Sequence, residues 1–348
     1  MKILAYILWP LSMIYSLIMN IRNFMFDKEI FKATKIDKKV ISIGNIHVGG
    51  TGKTPAVIYL VEYFQKFNFK PAVLSRGYKR KSKGYVLVSD GFCITKDVEK
   101  VGDEIYLTAK ETNCAAAVCE KRVIGAKKLI EDTNPDVIIL DDAFQHRWIK
   151  RDLDIVLIDA NTLVSNDIRN KLVLPAGYLR ESFKNIKRAD IVIINHKFYN
   201  LDIEKVKEKI DKIPYLAGKL ILHSHYKVEN IVDLKFNSEY SLEEFIGQKA
   251  LAVSGIANPE SFFNILENNN LHITEKLIFT DHKNYTQDDI EQIRQKFYYT
   301  NSTCVITTQK DFVKLSNFQQ ELDDIDFFFI KIKMHIKEAE KLNKFLLS

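Results

Sequence analysis

The feature that most constrains this chain is a glycine-rich segment between a predicted strand and a predicted helix. Residues 39–44 are rich in β-branched residues and end in glycine, a pattern typical of a buried strand. Residues 45–55 contain three glycines followed by Lys53 and Thr54, and apolar residues then recur at helical spacing up to residue 64. A strand, a glycine loop ending in Lys-Thr and a helix form the P-loop arrangement. The sequence therefore predicts nucleotide binding.

The residue types in this loop suit phosphate groups. Glycines let backbone N–H groups approach phosphate oxygens without a Cβ in the way. The lysine reaches the outer phosphates, and the threonine hydroxyl can coordinate Mg²⁺. The common pattern has glycine at position 47, where this sequence has histidine, so the loop matches the Gly-Gly-x-Gly-Lys-Thr variant. The predicted ATP-binding residues are His47, Val48, Gly49, Gly50, Thr51, Gly52, Lys53 and Thr54.

A second apolar run ends in two carboxylates. Residues 137–140 predict a strand buried on both faces, and Asp141 and Asp142 follow it. Ligands bind at the carboxyl ends of strands in open α/β sheets, so these acids are predicted Mg²⁺ ligands. Similar runs at residues 72–75, 154–159 and 190–195 predict a P-loop-type α/β fold with a doubly wound, mostly parallel sheet. The Asn-His-Lys segment at residues 195–197 weakly resembles a base-reading loop of P-loop proteins, and an ordinary loop is the preferred interpretation.

The N-terminal segment is long and apolar. Residues 3–21 carry no charge, and the length of this uncharged segment approaches that of a membrane-spanning helix. However, Pro10 interrupts the run, and Ser12, Ser16 and Asn20 form a polar stripe along one side. This pattern favours a helix that lies in the membrane surface, and the alternative is an ordinary buried helix. Residues 1–35 contain five basic and two acidic side chains, which favours an anionic leaflet.

Composition excludes several classes of protein. The 51 basic and 45 acidic residues give a net charge of +6, well short of a dedicated nucleic-acid-binding surface. The four cysteines are too few and too scattered for a disulfide scaffold, and no Cys/His pair completes a zinc site beside them. We therefore expect a chain in a reducing cytoplasm with no nucleic-acid partner.

Two pairs of adjacent ionisable residues and two arginines favour a kinase over a nucleotide switch. Asp103 and Glu104 precede a helical stretch, and Asp281 and His282 follow a strand-like run. An acceptor hydroxyl needs such a carboxylate or imidazole to take its proton. Candidate phosphate clamps are Arg76 and Arg180.

Taken together, these segments resemble the tetraacyldisaccharide 4′-kinases, which phosphorylate the lipid A precursor on the inner face of the bacterial inner membrane. The matching segments occur in the family's order, and the N-terminal apolar helix is in the expected place. They are residues 42–55, 74–78, 101–104, 141–146, 174–181, 254–259, 281–282 and 307–311.

The resemblance implies a reaction and a role for each matching residue. The γ-phosphate of ATP would pass to the 4′-hydroxyl of a tetraacyldisaccharide 1-phosphate. Asp103 would be the general base with His282 beside it, and Lys53 would complete the catalytic set. The implied Mg²⁺ ligands are Thr54, Glu104, Asp141 and Asp142. The implied substrate or phosphate contacts are Asn45, Arg76, Gln145 and Arg180.

Four segments are predicted along the chain. They are a membrane-anchor helix at 1–25, a P-loop kinase domain at 26–215, a linker at 216–240, and a second, smaller α/β domain at 241–348 with a helix from residue 335. Because Lys53 and His282 lie in different domains, the site is expected in the cleft between them. The expected partners are the glycolipid substrate and the cytoplasmic face of the bacterial inner membrane, which a monomer would bind peripherally or monotopically.

Two other functions remain open at this point. A membrane-associated regulatory NTPase acting on a protein partner would share the Gly-Gly-x-Gly-Lys-Thr loop. The signature lysine expected before the two glycines is replaced by Val48, which counts against it. A soluble small-molecule kinase would leave the N-terminal apolar helix unexplained.

Overall fold

A computed structural model of the chain describes residues 2–197, 201–236 and 238–347. The described helices are α1 Lys2–Asp27, α2 Lys53–Lys66, α3 Val98–Val101, α4 Asp103–Thr112, α5 Arg122–Thr133, α6 Ala160–Val164, α7 Ile203–Asp211, α8 Pro259–Asn268, α9 Gln287–Tyr299, α10 Gln309–Leu315 and α11 Asn343–Leu346. The described strands are β1 Lys39–Asn45, β2 Pro71–Ser75, β3 Val86–Asp90, β4 Ala115–Val118, β5 Val137–Asp141, β6 Leu153–Asp159, β7 Ile191–Asn195, β8 Leu220–Asp233, β9 Glu239–Tyr240, β10 Lys249–Ser254, β11 His272–Ile278, β12 Cys304–Thr308 and β13 Phe327–Ile336.

The described strands form one mixed β-sheet in an α/β fold. Its order is β11-β10-β12-β13-β8-β7-β6-β1-β5-β2-β4-β3, with β9 added to β8. Antiparallel pairing occurs at β8–β13, β3–β4 and β8–β9, and the other neighbours are parallel. The predicted mostly parallel α/β sheet is confirmed.

The segment predicted as a linker contains β8, the strand that joins the two halves of the sheet. The N-terminal half contains β1–β7, and the C-terminal half contains β10–β13. Strand β8 pairs in parallel with β7 and antiparallel with β13, so the sheet continues across residues 216–240. The linker prediction is wrong for most of this segment because a 14-residue strand can pair with a partner on each side. The division of the chain into two domains stays a prediction.

The C-terminal helix predicted from residue 335 is also wrong in extent. Strand β13 continues to Ile336, which pairs with Ser224 of β8. Only α11, four residues long, is α-helical beyond it in the described part of the chain. The long antiparallel pairing with β8 overrides the local helical preference of these residues.

The two halves share a hydrophobic core. Helix α2 buries Leu60 and Phe64 against β1. Leu107 of α4 belongs to a cluster that also contains Leu251 and Phe327 from the C-terminal half. Because this core is close-packed, it holds α4 firmly against the C-terminal half.

The parallel strands bring the predicted site residues to one edge. Strand β1 lies between β6 and β5, with Ile43 of β1 opposite Asp141 of β5. Strand β2 flanks β5 on the other side and ends at Ser75. The loop after Asn45 therefore lies beside the end of β5, where α/β sheets place ligand sites.

Candidate active site

The glycine loop wraps around the N-terminus of α2. Gly49 and Gly52 have φ angles of 103° and 95°, in the left-handed region that favours glycine. A Cβ on Gly52 would also come within 2.0 Å of the Tyr226 hydroxyl and 2.3 Å of Asn195 Nδ2. No residue other than glycine fits there without moving these groups. The backbone N–H groups of the loop can therefore come close to phosphate oxygens.

Two asparagines hold this loop in shape. Asn45 Nδ2 donates to Thr51 Oγ1 at 2.8 Å, and Asn195 Nδ2 donates to the Thr51 carbonyl at 3.0 Å. Asn195 also donates to the Tyr226 hydroxyl at 2.9 Å. The segment at 195–197, interpreted from sequence as an ordinary loop, therefore braces the phosphate loop.

The predicted carboxylates lie at the end of β5. Lys53 Nζ is 3.7 Å from Asp142 Oδ1, and Arg180 Nη1 donates to the same oxygen at 2.8 Å. Asp141 is buried and its Oδ2 accepts a hydrogen bond from Ser75 Oγ at 3.0 Å. Burial, with the nearby charges of Glu104 and Asp142, raises the pKa of Asp141 to about 6.

Asp103 and His282 meet across the two halves, although 179 residues separate them in sequence. His282 Nδ1 donates to Asp103 Oδ2 at 2.9 Å. Burial raises the pKa of Asp103, but the His282 hydrogen bond and the charges of Lys310 and Lys314 outweigh it, so the net pKa lies well below its usual range. The predicted pair is therefore present, with an ionised carboxylate.

Two lysines that sequence analysis gave no role complete this region. Lys310 Nζ donates to Glu104 Oε1 at 2.6 Å, and Lys314 Nζ is 3.0 Å from Asp103 Oδ2. Both lie on α10, four residues apart and so on one face of the helix. That spacing was the available signal, but nothing in the sequence indicates that this face meets α4.

These residues surround one cleft of about 420 Å³ between the halves. Residues 48–54 and Asp142 line it from the N-terminal half, and His282 and Lys310 from the C-terminal half. Its apolar wall includes Ile256, Phe262, Ile330, Ile332 and Met334, which sequence analysis did not single out. Asp103 instead lines an adjoining cavity of about 230 Å³ that shares His282.

Four predicted ATP or substrate contacts lie outside the described wall of this cleft: Asn45, His47, Arg76 and Gln145. His47 Nε2 donates a hydrogen bond to the Asn170 carbonyl at 3.0 Å. Gln145 Nε2 donates to the Asn45 carbonyl at 2.9 Å and to Glu181 at 3.1 Å, so it braces the end of β1. Arg76 is exposed just after β2. Their roles toward substrate or phosphate stay predictions.

The predicted Mg²⁺ ligands do not form a complete site by themselves. Within the described ranges, no group of three or more His, Cys, Asp or Glu side chains is placed to hold a metal ion. Mg²⁺ in kinases is held by one or two carboxylates plus phosphates and water, so a full protein cage is not required. Asp141 Oδ1 is buried and has no hydrogen-bond partner among the described residues. This atom and the raised pKa of Asp141 fit a site that takes a cation.

Helix α1 is attached to the body by its polar side. Ser12 Oγ accepts from the Ala176 N–H at 2.8 Å, and Asn23 Nδ2 donates to Glu181 at 2.8 Å. The Tyr15 hydroxyl donates to the Arg180 carbonyl at 2.9 Å. The outward side chains are apolar and at least half exposed: Ile7, Trp9, Leu11, Met13, Ile14, Leu17, Ile18, Ile21 and Phe24. In the part of the chain that the structure describes, no helix has the length and hydropathy needed to cross a membrane.

Comparison with known proteins gives one consistent result. A family model described as tetraacyldisaccharide-1-P 4'-kinase (LpxK) matches residues 4–348. A tetraacyldisaccharide 4'-kinase of Chlorobium phaeobacteroides is 35% identical over 98% of this chain and 96% of its own length. One from Flavobacterium johnsoniae is 37% identical over 91% and 89%. The crystal structure of LpxK from Aquifex aeolicus in complex with ATP is similar with a TM-score of 0.78 and 30% identity, covering 99% of this chain and 98% of that one.

Proposed function

Because the chain belongs to the tetraacyldisaccharide-1-P 4'-kinase family and is a kinase of a lipid A precursor, we propose that ATP and the glycolipid react in the cleft between its two halves. The observation that carries this proposal is that Lys53 and His282 line the same cleft, one from each half. A phosphate-binding group and a proton acceptor thus face one space, as phosphoryl transfer to a hydroxyl requires. The finer fold assignment, a P-loop domain with a second α/β domain closing over it, is part of this proposal.

The reaction forms one bond and breaks one. The 4′-oxygen of the sugar attacks the γ-phosphorus of ATP, and the bond from that phosphorus to the bridging oxygen of ADP breaks. The hydroxyl proton passes to the Asp103–His282 pair. Lys53, with the backbone N–H groups of residues 49–54, holds the phosphates in place and stabilises the charge on the transferring group.

The geometry assigns different tasks to the two members of the pair. The carboxylate of Asp103 accepts hydrogen bonds from the Glu104 N–H and from His282, and Lys314 lies 3.0 Å from it. A carboxylate with this many donors is a weak base. His282 lines the cleft, its Nδ1 is bonded to Asp103, and its Nε2, which lies 3.8 Å from Asp281 Oδ2, can take the proton. Asp103, predicted from sequence as the base, would orient His282 and stabilise its charged form.

A divalent metal ion completes the proposed site. Thr54, Asp142 and Glu104 line the cleft, and Asp141 is buried next to Asp142 in sequence. Mg²⁺ held there would neutralise charge on the phosphates of ATP. Arg180 would reach the same phosphates if its guanidinium left Asp142, to which it now donates.

The test is an assay with ATP and tetraacyldisaccharide 1-phosphate in detergent. We expect ADP to form only when the glycolipid and Mg²⁺ are present, together with a mass gain of one phosphate on the glycolipid. The control acceptor is the same glycolipid already phosphorylated at the 4′ position, and the metal control contains EDTA. ADP formation at the same rate with either acceptor would indicate the regulatory NTPase instead.

The exposed apolar side of α1 would bind the cytoplasmic face of the inner membrane. An amphipathic helix with its polar side on the protein and its apolar side outward suits the interface region of a bilayer. The Tyr15–Arg180 hydrogen bond connects this helix to the edge of the cleft, so a lipid acceptor would enter from the membrane side. A monomer is sufficient for this arrangement, and the oligomeric state stays a prediction.

Charge on the apolar side of α1 is expected to release the protein from vesicles. In Ile14→Asp/Leu17→Asp, two side chains that are 57% and 60% exposed become charged, so the fold is retained while lipid contact is lost. We expect binding to vesicles of phosphatidylcholine and phosphatidylglycerol in a sedimentation assay to fall at least about 10-fold. The matched control is Tyr299→Asp, at an exposed aromatic residue on α9. Equal binding by the double variant and the wild type would contradict attachment through this side.

A further inference from the structure

The C-terminal half places a lysine in the cleft for which the mechanism above has no task. Lys310 is the second residue of α10, and its ammonium donates to Glu104 Oε1 at 2.6 Å. The two side chains line the cleft and are 30% and 25% exposed. The ion pair is therefore at the surface of the nucleotide cleft and is accessible to a ligand.

Two cations, one from each half, act on this carboxylate. Burial raises the pKa of Glu104, but Lys310 and Lys53 outweigh it and hold the pKa below its usual value. Burial also opposes the charge of Lys310, yet Glu104 and Asp103 raise the pKa of Lys310 above its usual value. The 2.6 Å hydrogen bond to a carboxylate favours the charged ammonium, so Lys310 is a cationic donor in the cleft.

An ion pair that only holds the two halves together does not need to line the cleft. Lys331 of β13 pairs with Glu111 at 3.7 Å, and Glu111 is on α4 like Glu104. That pair can hold the halves together from outside the described cleft wall. The position of Lys310, beside the carboxylate that Lys53 also faces, has no such simple structural explanation.

We propose that Lys310 is a catalytic residue, whose ammonium donates from the C-terminal half to an oxygen of the transferring γ-phosphoryl group, while Lys53 donates from the N-terminal half. Glu104 neutralises this ammonium while the cleft holds no nucleotide and releases it when the triphosphate enters. Lys310 keeps its proton throughout, and the bonds that form and break are those already given. Three anionic oxygens on the moving group give each lysine a separate partner. This inference rests on the proposed function, because it requires ATP in the cleft.

The test compares Lys310→Met and Lys310→Arg with the matched control Lys331→Met. For Lys310→Met we expect kcat to fall about 10²–10³-fold, the scale for loss of one transition-state donor. Its affinity for ATP should fall about 10-fold in calorimetry while its affinity for ADP stays within about twofold, since ADP has no γ-phosphate. Lys310→Arg should retain kcat within about 10-fold, because it keeps the charge. Lys331→Met should keep the kcat and the ATP affinity of the wild type, because it removes an ion pair between the halves but no group that lines the cleft.

Two results would overturn the proposal. One is a kcat of Lys310→Met within about threefold of the wild type, far below the effect of a lost charged donor. The other is an equal loss of ATP and ADP affinity, which would indicate a general effect on the cleft. Failure of the function itself is distinguishable, since the wild type would then make no phosphorylated glycolipid. Retained ADP binding by Lys310→Met shows that the variant is folded.

Discussion

Lys53→Ala is expected to lower kcat by about 10³-fold or more, the scale for cations that stabilise a transferring phosphoryl group. The Lys53 side chain is 10% exposed, and its ammonium is 3.7 Å from Asp142 in the cleft. No other group of the phosphate loop carries a full positive charge, so charge on the γ-phosphate would lose its nearest partner on that side. The measurement is phosphate transfer to the glycolipid at saturating ATP.

Lys66→Ala is the matched control for this variant. Lys66 is the last residue of α2, more than three helical turns from the loop. Lys66→Ala therefore removes the same charge from the same helix at a distance from the cleft. We expect its kcat to equal that of the wild type. A Lys53→Ala enzyme with normal kcat and weaker ATP binding would show that the lysine binds the ground state and the transition state equally and does not lower the barrier from the bound state.

Asp103→Ala is expected to lower kcat by about 10²–10⁴-fold, the usual contribution of acid–base catalysis. Without the carboxylate, His282 loses the partner that orients Nδ1, and its protonated form loses the adjacent negative charge. ATP binding should change little, since Asp103 lies outside the described cleft wall. The measurement is kcat for transfer, with ATP affinity determined separately by calorimetry.

The matched control is Asp97→Ala, a nearby acid that pairs with Lys100 on the surface. It should keep wild-type kcat, since exposed pairs contribute little. Because Asp103→Ala also removes the partner of Lys314, thermal unfolding of both variants should be compared. A folded Asp103→Ala enzyme with less than about a threefold loss in kcat would exclude the pair from proton transfer.

Contiguous parts of the site were predictable from sequence. Strand β1, the glycine loop and α2 follow one another within 28 residues, and each has its own local signature. The run before Asp141 was predicted as a strand for the same reason, and the parallel alignment of strand ends then places it beside the loop. The Asp103–His282 contact was predicted only through the family resemblance, because no spacing relates residues 179 apart.

Other parts of the site could not be predicted in this way. Lys310 meets Glu104 across 206 residues, and Asn195 meets Thr51 across 144. The first pair forms only because β8 joins both halves into one sheet, and that strand lies in a segment predicted as a linker. The second forms because β6 pairs with both β7 and β1, which brings the ends of those two strands close together. The sequence likewise predicts a helix at residues 335–336, but in the structure these residues extend β13 because they pair with β8.

The sequence alone determined the family and the α/β class and predicted the phosphate-binding residues, because these depend on patterns within short segments. Only the tertiary structure decided which groups face one another across the cleft, which side of α1 is turned outward, and that Asp103 is surrounded by donors. The physical reason is that pKa values and ion pairs depend on neighbours in space, and sequence patterns describe neighbours along the chain.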